Sequence, residues 1–314
     1  MTNTHPFKNW PSLAPFGKTL SLPEGNLFYY DSVGSADSEG NADSGEGIAG
    51  KPALILIHGL GDEADTWRHI FPVLANAGHR VIAPDLPGFG RSVRKSGINV
   101  RTQSEAIIRL INETGAANPE NPAMLAGSSL GAGIAELVAG KRPELVKGLI
   151  LLGGCFPFSG ISGAALYLLG LPFLGKSWYR GFRSNHEGAW KSLYPYYGDL
   201  NAMGDADKTF LRERVIDRVE SPDQERGYFA TLRSINAFFL FSKRSGARKI
   251  KAFRGNIALI WGERDNIFAL EKTVPFRRLR PDADFSLIPG AGHLPHQEQP
   301  EETAAKMLQF LKEK

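Results

Sequence analysis

Six short runs of apolar residues recur along the chain with little polar alternation inside them. Runs of this kind are typical of strands buried on both faces of a parallel sheet, whereas strands with one wet face alternate apolar and polar side chains. The runs span residues 53–57, 80–83, 123–126, 149–152, 257–261 and 285–288. They predict the buried strands of a mostly parallel sheet.

Stretches of helical character separate these runs, and a hairpin precedes them. In the hairpin, residues 19–22 and 27–30 flank the turn Pro23-Glu24-Gly25-Asn26. The helical stretches lie at about 66–77, 104–114, 130–141 and 269–279, and a last one begins at Glu301. Strands that alternate with helices predict an α/β protein with a mostly parallel, doubly wound sheet.

The alternation breaks once, over residues 155–254, which have the pattern of irregular helices without a convincing strand. We predict that residues 1–154 and 255–314 form the sheet-based core and that residues 155–254 form a helical lid inserted after the sixth strand. This segment holds 18 of the 32 Phe, Trp and Tyr residues. Lids of this kind line substrate pockets, although the aromatic side chains could instead form the lid's own core.

An uncharged stretch spans residues 148–175, which is longer than the roughly 20 residues that a bilayer crossing needs. Because Pro157, Pro172 and several glycines interrupt it, we divide it into a strand and an apolar helix at about 161–171. A helix with so few polar positions either lines the substrate pocket or faces a lipid interface. We favour the pocket.

Composition and charge narrow the class of protein. Of the 314 residues, 42% are hydrophobic and 22% charged, which excludes fibrous, disordered and coiled-coil proteins. The net charge of +4 arises from residues 155–255, where 16 basic residues face 9 acidic ones. The densest part, 243–254, has six basic residues and no acidic one, but no nucleic-acid motif accompanies it. We predict a solvated face and no nucleic-acid partner.

The single cysteine, Cys155, cannot form an internal disulfide or a thiolate metal cluster. The first residues have neither the basic nor the apolar region of a signal peptide. We therefore expect a cytoplasmic protein. Cys155 follows a strand, near the edge where ligands bind in such sheets, and core packing or pocket lining is favoured over catalysis.

One sequence carries the strongest chemical signal. The run 123–126 leads into Gly127-Ser128-Ser129-Leu130-Gly131, a G-x-S-x-G sequence, and a helical stretch follows. In this order the middle serine sits on a strained turn with its hydroxyl exposed, and small residues two positions away let strand and helix approach. Chance matches are frequent, so the strand and helix on either side carry the assignment. Ser129 is the predicted nucleophile.

A serine hydroxyl is a poor nucleophile near neutral pH and needs a base, normally a histidine. Among seven histidines, His293 follows the last strand in Pro289-Gly290-Ala291-Gly292-His293, where glycines permit a loop over the sheet edge. We predict His293 as the base. His296 is its rival by proximity, and a zinc site of His293, His296 and Glu298 is weaker because it lacks a familiar ligand pattern. Structural or surface roles are expected for His5, His58, His69, His79 and His186.

An acid must hold the imidazole in the correct tautomer. Trp261-Gly262-Glu263-Arg264-Asp265 ends a strand with two candidates. Asp265 is preferred because it lies beyond the strand end and can turn toward the catalytic edge. Glu263 is expected to pair with Arg264 or solvent.

Attack on a carbonyl creates an oxyanion, which two backbone N–H groups stabilise. Leu130 follows the nucleophile at a helix N-terminus and is predicted to supply one. Leu60 is predicted to supply the other from the loop His58-Gly59-Leu60-Gly61-Asp62, which His58 is expected to brace. Asp85 is predicted to organise the loop that follows it.

These features together resemble the α/β-hydrolase fold superfamily. The resemblance runs from about Leu20 to the C-terminus and rests on the order Ser129, Asp265, His293, the H-G loop ahead of the serine, and the D-x-P-G-x-G-x-S stretch at 85–92. It also includes the helical insertion after the sixth strand. The serine differs from the dehalogenase and epoxide-hydrolase branches, which use aspartate there.

One scaffold serves many reactions, so the substrate class is a separate hypothesis. We expect a serine hydrolase that cleaves carboxylic esters with an apolar or aromatic acyl part through an acyl-enzyme, without cofactor or metal. The rivals are a carbon–carbon bond hydrolase of ring-cleavage products, a lipase-like acylglycerol hydrolase, and a ligand-binding protein that kept the triad without turnover. The expected partner is a small apolar ester; a membrane interface is not favoured, and the oligomeric state stays open.

Overall fold

Eight strands form one sheet in the computed structural model, which describes residues 7–34, 50–92, 94, 96–155 and 173–313. The strands are β1 Gly17–Leu22, β2 Gly25–Asp31, β3 Leu54–Ile57, β4 Val81–Pro84, β5 Ala123–Ser128, β6 Val146–Leu152, β7 Asn256–Gly262 and β8 Asp284–Ile288. Their order across the sheet is β1-β2-β4-β3-β5-β6-β7-β8. The pairs β1–β2 and β2–β4 are antiparallel, and the other five pairs are parallel.

Helices connect the strands and cover the sheet. They are α1 Ile70–Asn76, α2 Val100–Thr114, α3 Leu130–Lys141, α4 Leu174–Gly181, α5 His186–Lys191, α6 Asp205–Glu220, α7 Pro222–Phe241, α8 Lys243–Ala252, α9 Thr273–Leu279, α10 Pro295–Glu298 and α11 Pro300–Glu313. The mostly parallel α/β sheet predicted from the apolar runs is therefore confirmed.

Two predicted helices are wrong in their first turns. The predicted helix at 66–77 is a 3-10 turn, Ala64–Trp67, followed by α1, and the one at 269–279 is a 3-10 turn, Leu270–Lys272, followed by α9. Pro72 and Pro275 stand at the third position of these helices. Because proline lacks an N–H and clashes with the carbonyl four residues earlier, it is tolerated only in the first turn of a helix.

The sheet separates two hydrophobic cores, which explains the missing polar alternation in the strands. In β3, Leu54 and Leu56 belong to the core that includes α1 and α11, while Ile55 and Ile57 belong to the core that includes α2 and α3. All four side chains are fully buried. Both faces of the central strands therefore gain from apolar burial.

Between β6 and β7 the described chain is helical. The helices α4 to α8 lie within residues 173–252, named the helical segment from here on, and no strand occurs among these residues. The helices α4, α6 and α7 share a small core that includes Tyr179, Val215 and Phe229. The helix predicted at 161–171 lies outside the described residues.

Candidate active site

Ser129 lies on a sharp turn between β5 and α3. Its backbone angles are φ 53 and ψ −112, and it is the one non-glycine residue with positive φ in the part of the chain that the structure describes. A Cβ on Gly131 would lie 2.1 Å from the Ile57 carbonyl oxygen, and a Cβ on Gly127 2.3 Å from Gly131. Only glycine fits at these two positions, so the strand and the helix pack closely around Ser129.

Two further glycines, missed by the sequence analysis, follow β6 beneath the same turn. A Cβ on Gly154 would lie 2.5 Å from the Ser129 carbonyl oxygen, and a Cβ on Gly153 would lie 2.7 Å from that of His293. Gly153 also has a positive φ of 55°. The pair Gly153-Gly154 at a strand end was the available signal for a close backbone approach.

His293 and Asp265 meet at the carboxyl ends of β7 and β8. Asp265 Oδ2 lies 2.9 Å from His293 Nδ1, and both side chains are 1% exposed. Asp265 Oδ1 accepts hydrogen bonds from the backbone N–H groups of Ile267 and Phe268 at 2.9 and 2.8 Å. This carboxylate is thereby fixed in orientation toward the imidazole.

The orientation of Asp265 also determines which ring nitrogen carries the proton. A carboxylate only accepts, so Nδ1 donates to it and Nε2 keeps a lone pair. Within the described residues no hydrogen-bond partner reaches the buried Nε2. His293 and Ser129 line one cavity of about 160 Å³. The structure therefore brings the three predicted residues to one site, with the basic nitrogen available there.

The loop of residues 58–62 forms the other side of this site. Fully buried His58 accepts at Nε2 from the Leu86 N–H at 2.8 Å, which leaves Nδ1 to donate to the Gly59 carbonyl at 2.8 Å. Burial lowers the pKa of His58. The predicted bracing role of His58 is confirmed.

The two residues predicted to bind an oxyanion stand on either side of the serine. Leu60 lines the cavity, and a Cβ on neighbouring Gly59 would lie 3.4 Å from Ser129 Cβ. Leu130 is the first residue of α3, where backbone N–H groups have no partner within the helix. Both backbones are placed beside Ser129, and their role as donors stays a prediction.

The carboxylate of Asp85 organises the loop after β4, as predicted. It accepts from the Ala64 N–H at 2.7 Å, from the Arg91 N–H at 2.7 Å and from the Arg91 guanidinium at 2.8 Å. Burial alone would raise the pKa of Asp85, but Arg91 lowers it below its ordinary value.

The rival candidates have structural partners. His296 Nε2 lies 2.8 Å from Thr66 Oγ1, its ring packs 4.4 Å from that of Trp67, and burial lowers its pKa to about 3. Glu263 accepts from the Gly290 N–H at 2.9 Å. Glu263 is exposed to solvent, as expected, and its carboxylate also holds the turn before His293.

Glu298 is also occupied by backbone groups. Its two oxygens accept from the N–H groups of Gly198 at 2.6 Å and Gly292 at 2.8 Å. This carboxylate therefore joins the loop before His293 to the helical segment. Among the described residues no group of three or more His, Cys, Asp or Glu is arranged to hold a metal ion.

The helical segment supplies most of the remaining cavity wall. Its lining side chains are mainly apolar or aromatic: Trp178, Tyr179, Phe182, Leu193, Tyr196, Tyr197, Leu211, Val215, Val219 and Tyr228. The ring centroid of Tyr196 lies 6.0 Å from that of His293. Several predicted lid aromatics thus line the cavity, whereas Phe156 and Phe158 lie outside the described residues. Cys155 is fully buried in the core.

A charged cluster, also missed by the sequence analysis, joins the helical segment to the loop of residues 58–62. Arg218 in α6 bonds Asp62 at 2.7 Å and Glu63 at 2.8 and 3.1 Å. Its side chain is 13% exposed. Arg218 is 155 positions from Glu63 and 156 from Asp62 in sequence, so no local pattern predicted the cluster.

The cluster shifts the pKa of each member. Burial raises the pKa of Glu63, although Arg218 opposes it. Burial would also raise the pKa of Asp62, but Arg218 outweighs this and lowers it. Burial disfavours the Arg218 charge, yet the two carboxylates raise its pKa well above the ordinary value. Arg218 is therefore a permanent cation that both carboxylates neutralise.

These geometric features agree with a family match. Residues 52–300 match the model of the alpha/beta hydrolase fold, and the chain belongs to this family. Family membership indicates a hydrolase.

Individual relatives are distant. The chain is 28% identical over 270 residues to the dihydrolipoyllysine-residue acetyltransferase component of an acetoin cleaving system from Pseudomonas putida, covering 85% of this chain but only 65% of that protein. It is 25% identical over 268 residues to a 2-hydroxy-6-oxononadienedioate/2-hydroxy-6-oxononatrienedioate hydrolase from Paraburkholderia phymatum, covering 84% and 88%.

A solved structure shares the fold. A serine hydrolase from the polyaromatic hydrocarbon-degrading bacterium Cycloclasticus zankles has a TM-score of 0.71 and 18% identity, covering 94% of this chain and 97% of that one. This likeness concerns the fold alone.

Proposed function

We propose that this protein is a serine hydrolase that cleaves carboxylic esters through an acyl-enzyme. One observation carries the proposal. Ser129, on its strained turn, shares a cavity with His293, whose Nδ1 is held 2.9 Å from Asp265 and whose Nε2 is left with a lone pair. This is the arrangement that activates a serine hydroxyl.

The reaction follows from the geometry. Ser129 Oγ attacks the ester carbonyl carbon while its proton passes to His293 Nε2, and Asp265 stabilises the imidazolium that forms. The backbone N–H groups of Leu60 and Leu130 donate to the developing oxyanion. The alcohol leaves with the proton from Nε2. Water, activated by the same nitrogen, then releases the acid and restores Ser129.

The cavity favours a small apolar acyl or aryl group. A dry cavity of about 150 Å³ accommodates benzene, and the described cavity is close to that size, with an apolar and aromatic wall. An acyl chain of about six carbons would therefore fill it. The predicted apolar or aromatic acyl part agrees with these dimensions.

Carbon–carbon cleavage of a ring-cleavage product remains the second candidate, because the relative from Paraburkholderia phymatum is named for that reaction. The electrostatics of the described wall oppose it. Arg218 is the one Arg or Lys side chain among the described cavity-lining residues, and two carboxylates already neutralise it. A dicarboxylate would meet no uncompensated cation there, so a neutral ester fits better.

The test is a chain-length series of p-nitrophenyl esters, assayed on the wild type and on Ser129→Ala. We expect kcat/KM to rise about four-fold for each added carbon, as burial of each methylene predicts, and to level off after about six carbons. Ser129→Ala should lose about 10³-fold or more in kcat, while Ser128→Ala, which removes a buried neighbouring hydroxyl, should retain activity.

Three results would replace the proposal. A fluorophosphonate adduct on a residue other than Ser129 would show a different nucleophile. Faster turnover of a vinylogous diketone acid than of any ester would favour carbon–carbon hydrolysis. A single labelling event without sustained ester turnover would indicate a ligand-binding protein.

A further inference from the structure

Two large apolar side chains project into solvent at the end of α7. Leu240 is 66% and Phe241 85% exposed, although the preceding Phe238 and Phe239 pack partly against the core. Exposing a Leu and a Phe side by side forgoes a few kcal/mol of apolar burial. Paired, fully projecting apolar residues of this kind often mark an interaction site.

A basic helix follows directly. The residues 243–254 contain no acidic residue, and the basic side chains are exposed: Lys243, Arg244, Arg248, Lys249, Lys251 and Arg254. Folding of α8 relies on other groups, since Ile250 is buried and Arg280 bonds the carbonyls of Ile250 and Phe253. The charge of Arg280 is itself paired with Asp282.

The apolar and basic side chains are neighbours along the chain, where Ser242 alone separates α7 from α8. Exposed Ala237 and Phe241 are four positions apart and share one face of α7. Exposed Arg244 and Arg248 share one face of α8 for the same reason. Leu240 lies beside Phe241. We name Leu240, Phe241, Lys243, Arg244 and Arg248 the docking surface.

We propose that the docking surface binds the surface of an anionic lipid membrane. Apolar side chains that enter the headgroup region next to Lys and Arg that pair with lipid phosphates are the two components of interfacial binding. A nucleic acid could also use the cations, so an oligonucleotide is one arm of the test below. No described helix has both the length and the apolar character to cross a membrane.

The experiment measures co-sedimentation of the whole protein with phosphatidylglycerol/phosphatidylcholine vesicles and with pure phosphatidylcholine vesicles. Each Lys or Arg near an anionic surface contributes about five-fold to partitioning. Arg244→Gln with Arg248→Gln should therefore weaken binding about 25-fold, whereas Arg278→Gln with Lys312→Gln removes the same charge from exposed positions elsewhere and should have little effect.

A second double variant tests the apolar pair Leu240 and Phe241. Leu240→Ser with Phe241→Ser should also reduce binding at least ten-fold, while Val73→Ser with Val274→Ser, two partly exposed apolar positions elsewhere, should not. All four double variants should hydrolyse soluble short esters like the wild type. Ser129→Ala should bind vesicles normally, which separates this proposal from the proposed esterase activity.

Several outcomes would overturn the membrane proposal. Equal binding to neutral and anionic vesicles, or no binding to either, would do so. Binding of a single-stranded oligonucleotide that depends on Arg244 and Arg248 but not on Leu240 and Phe241 would indicate a nucleic-acid surface. Sedimentation velocity could instead show a dimer that Leu240→Ser with Phe241→Ser dissociates. Without any vesicle binding, that result would assign Leu240 and Phe241 to contact with a second copy of this chain.

Discussion

The two sides of the cavity are built by different means. On the sheet side, backbones approach so closely that Gly127, Gly131 and Gly154 admit no Cβ. On the helical side, α6 contacts the loop of residues 58–62 through the charges of Arg218, Asp62 and Glu63. Close backbone packing leaves Ser129 little room to move. Because side-chain ion pairs hold the opposite wall, we expect that wall to tolerate changes with little effect on the serine.

Among the residues that support Ser129, the acid on the sheet side is expected to give the largest effect. Asp265→Asn leaves the shape nearly intact but loses the carboxylate that selects the Nδ1–H tautomer, so kcat should fall about 10⁴-fold. The matched change Glu263→Gln, on the other candidate after β7, should cost far less. Steady-state kinetics on a short ester measure both, and greater damage from Glu263→Gln would show that the acid is misassigned.

The second largest effect on the sheet side is expected from a substitution that disturbs the close backbone packing around Ser129. Gly131→Ala forces a Cβ to within 2.1 Å of the Ile57 carbonyl oxygen, and relief of that clash should lower the free energy of unfolding by about 3 kcal/mol or more. Gly181→Ala in α4 is the control, because nothing lies within 4 Å of its Cβ position. Urea denaturation measures both, and equal stabilities would contradict the close packing around Ser129.

On the helical side, Arg218→Met leaves Asp62 and Glu63 buried without their cation. Broken buried pairs cost about 3–5 kcal/mol, and since burial already raises the pKa of Glu63, its protonation should reduce the cost to about 2–3 kcal/mol. KM should rise more than kcat falls, because the wall moves and the triad does not. Arg226→Met in α7 breaks an exposed pair with Asp223 and should cost under about 1 kcal/mol.

If Arg218→Met reduced kcat as strongly as Asp265→Asn and left KM unchanged, the cluster would belong to the catalytic machinery and the two sides would not be separable. Arg218→Lys, which keeps the charge, should restore most of the stability and so separates charge from packing.

The smallest expected effect is a pH dependence of stability from His296. In the folded protein, burial lowers the pKa of His296 from 6.5 to about 3. Between these two pH values the His296 imidazole stays neutral in the folded protein, whereas in the unfolded chain it binds a proton below about pH 6.5. The free energy of unfolding therefore falls as the pH drops, by about 1 kcal/mol from this residue between pH 6.5 and 5.5. His296→Asn should flatten that slope in urea denaturation; an unchanged slope would contradict the buried neutral state.

The central strands β3 to β7 were predictable because each is buried on both faces and so leaves a continuous apolar run. Helix starts were harder. The helix predicted from 104 begins at Val100, because Asn99 and Thr102 form reciprocal capping hydrogen bonds, and this N-cap pattern was readable in the sequence. The prolines that delay α1 and α9 were equally readable.

Some features of the candidate site could also be predicted from the sequence, and others could not. Ser129, Asp265 and His293 each follow a strand at the same edge, so their convergence was predictable from order alone, while their chemical roles stay predictions. The Arg218 cluster was not predictable, because its partners are distant in sequence and a solvent-facing arginine on α6 would have an identical local pattern. The inserted helical lid, as a separate unit, also stays a prediction.

The burial of Cys155 has a practical consequence. It is the sole thiol of the chain, it is fully buried, and it lies where the chain leaves β6. Since a thiol reagent can modify a buried cysteine only when the surrounding structure opens, the modification rate at excess reagent reports how often this junction opens. The rate at which a reagent modifies this thiol therefore measures motion at the carboxyl end of β6 without any introduced label.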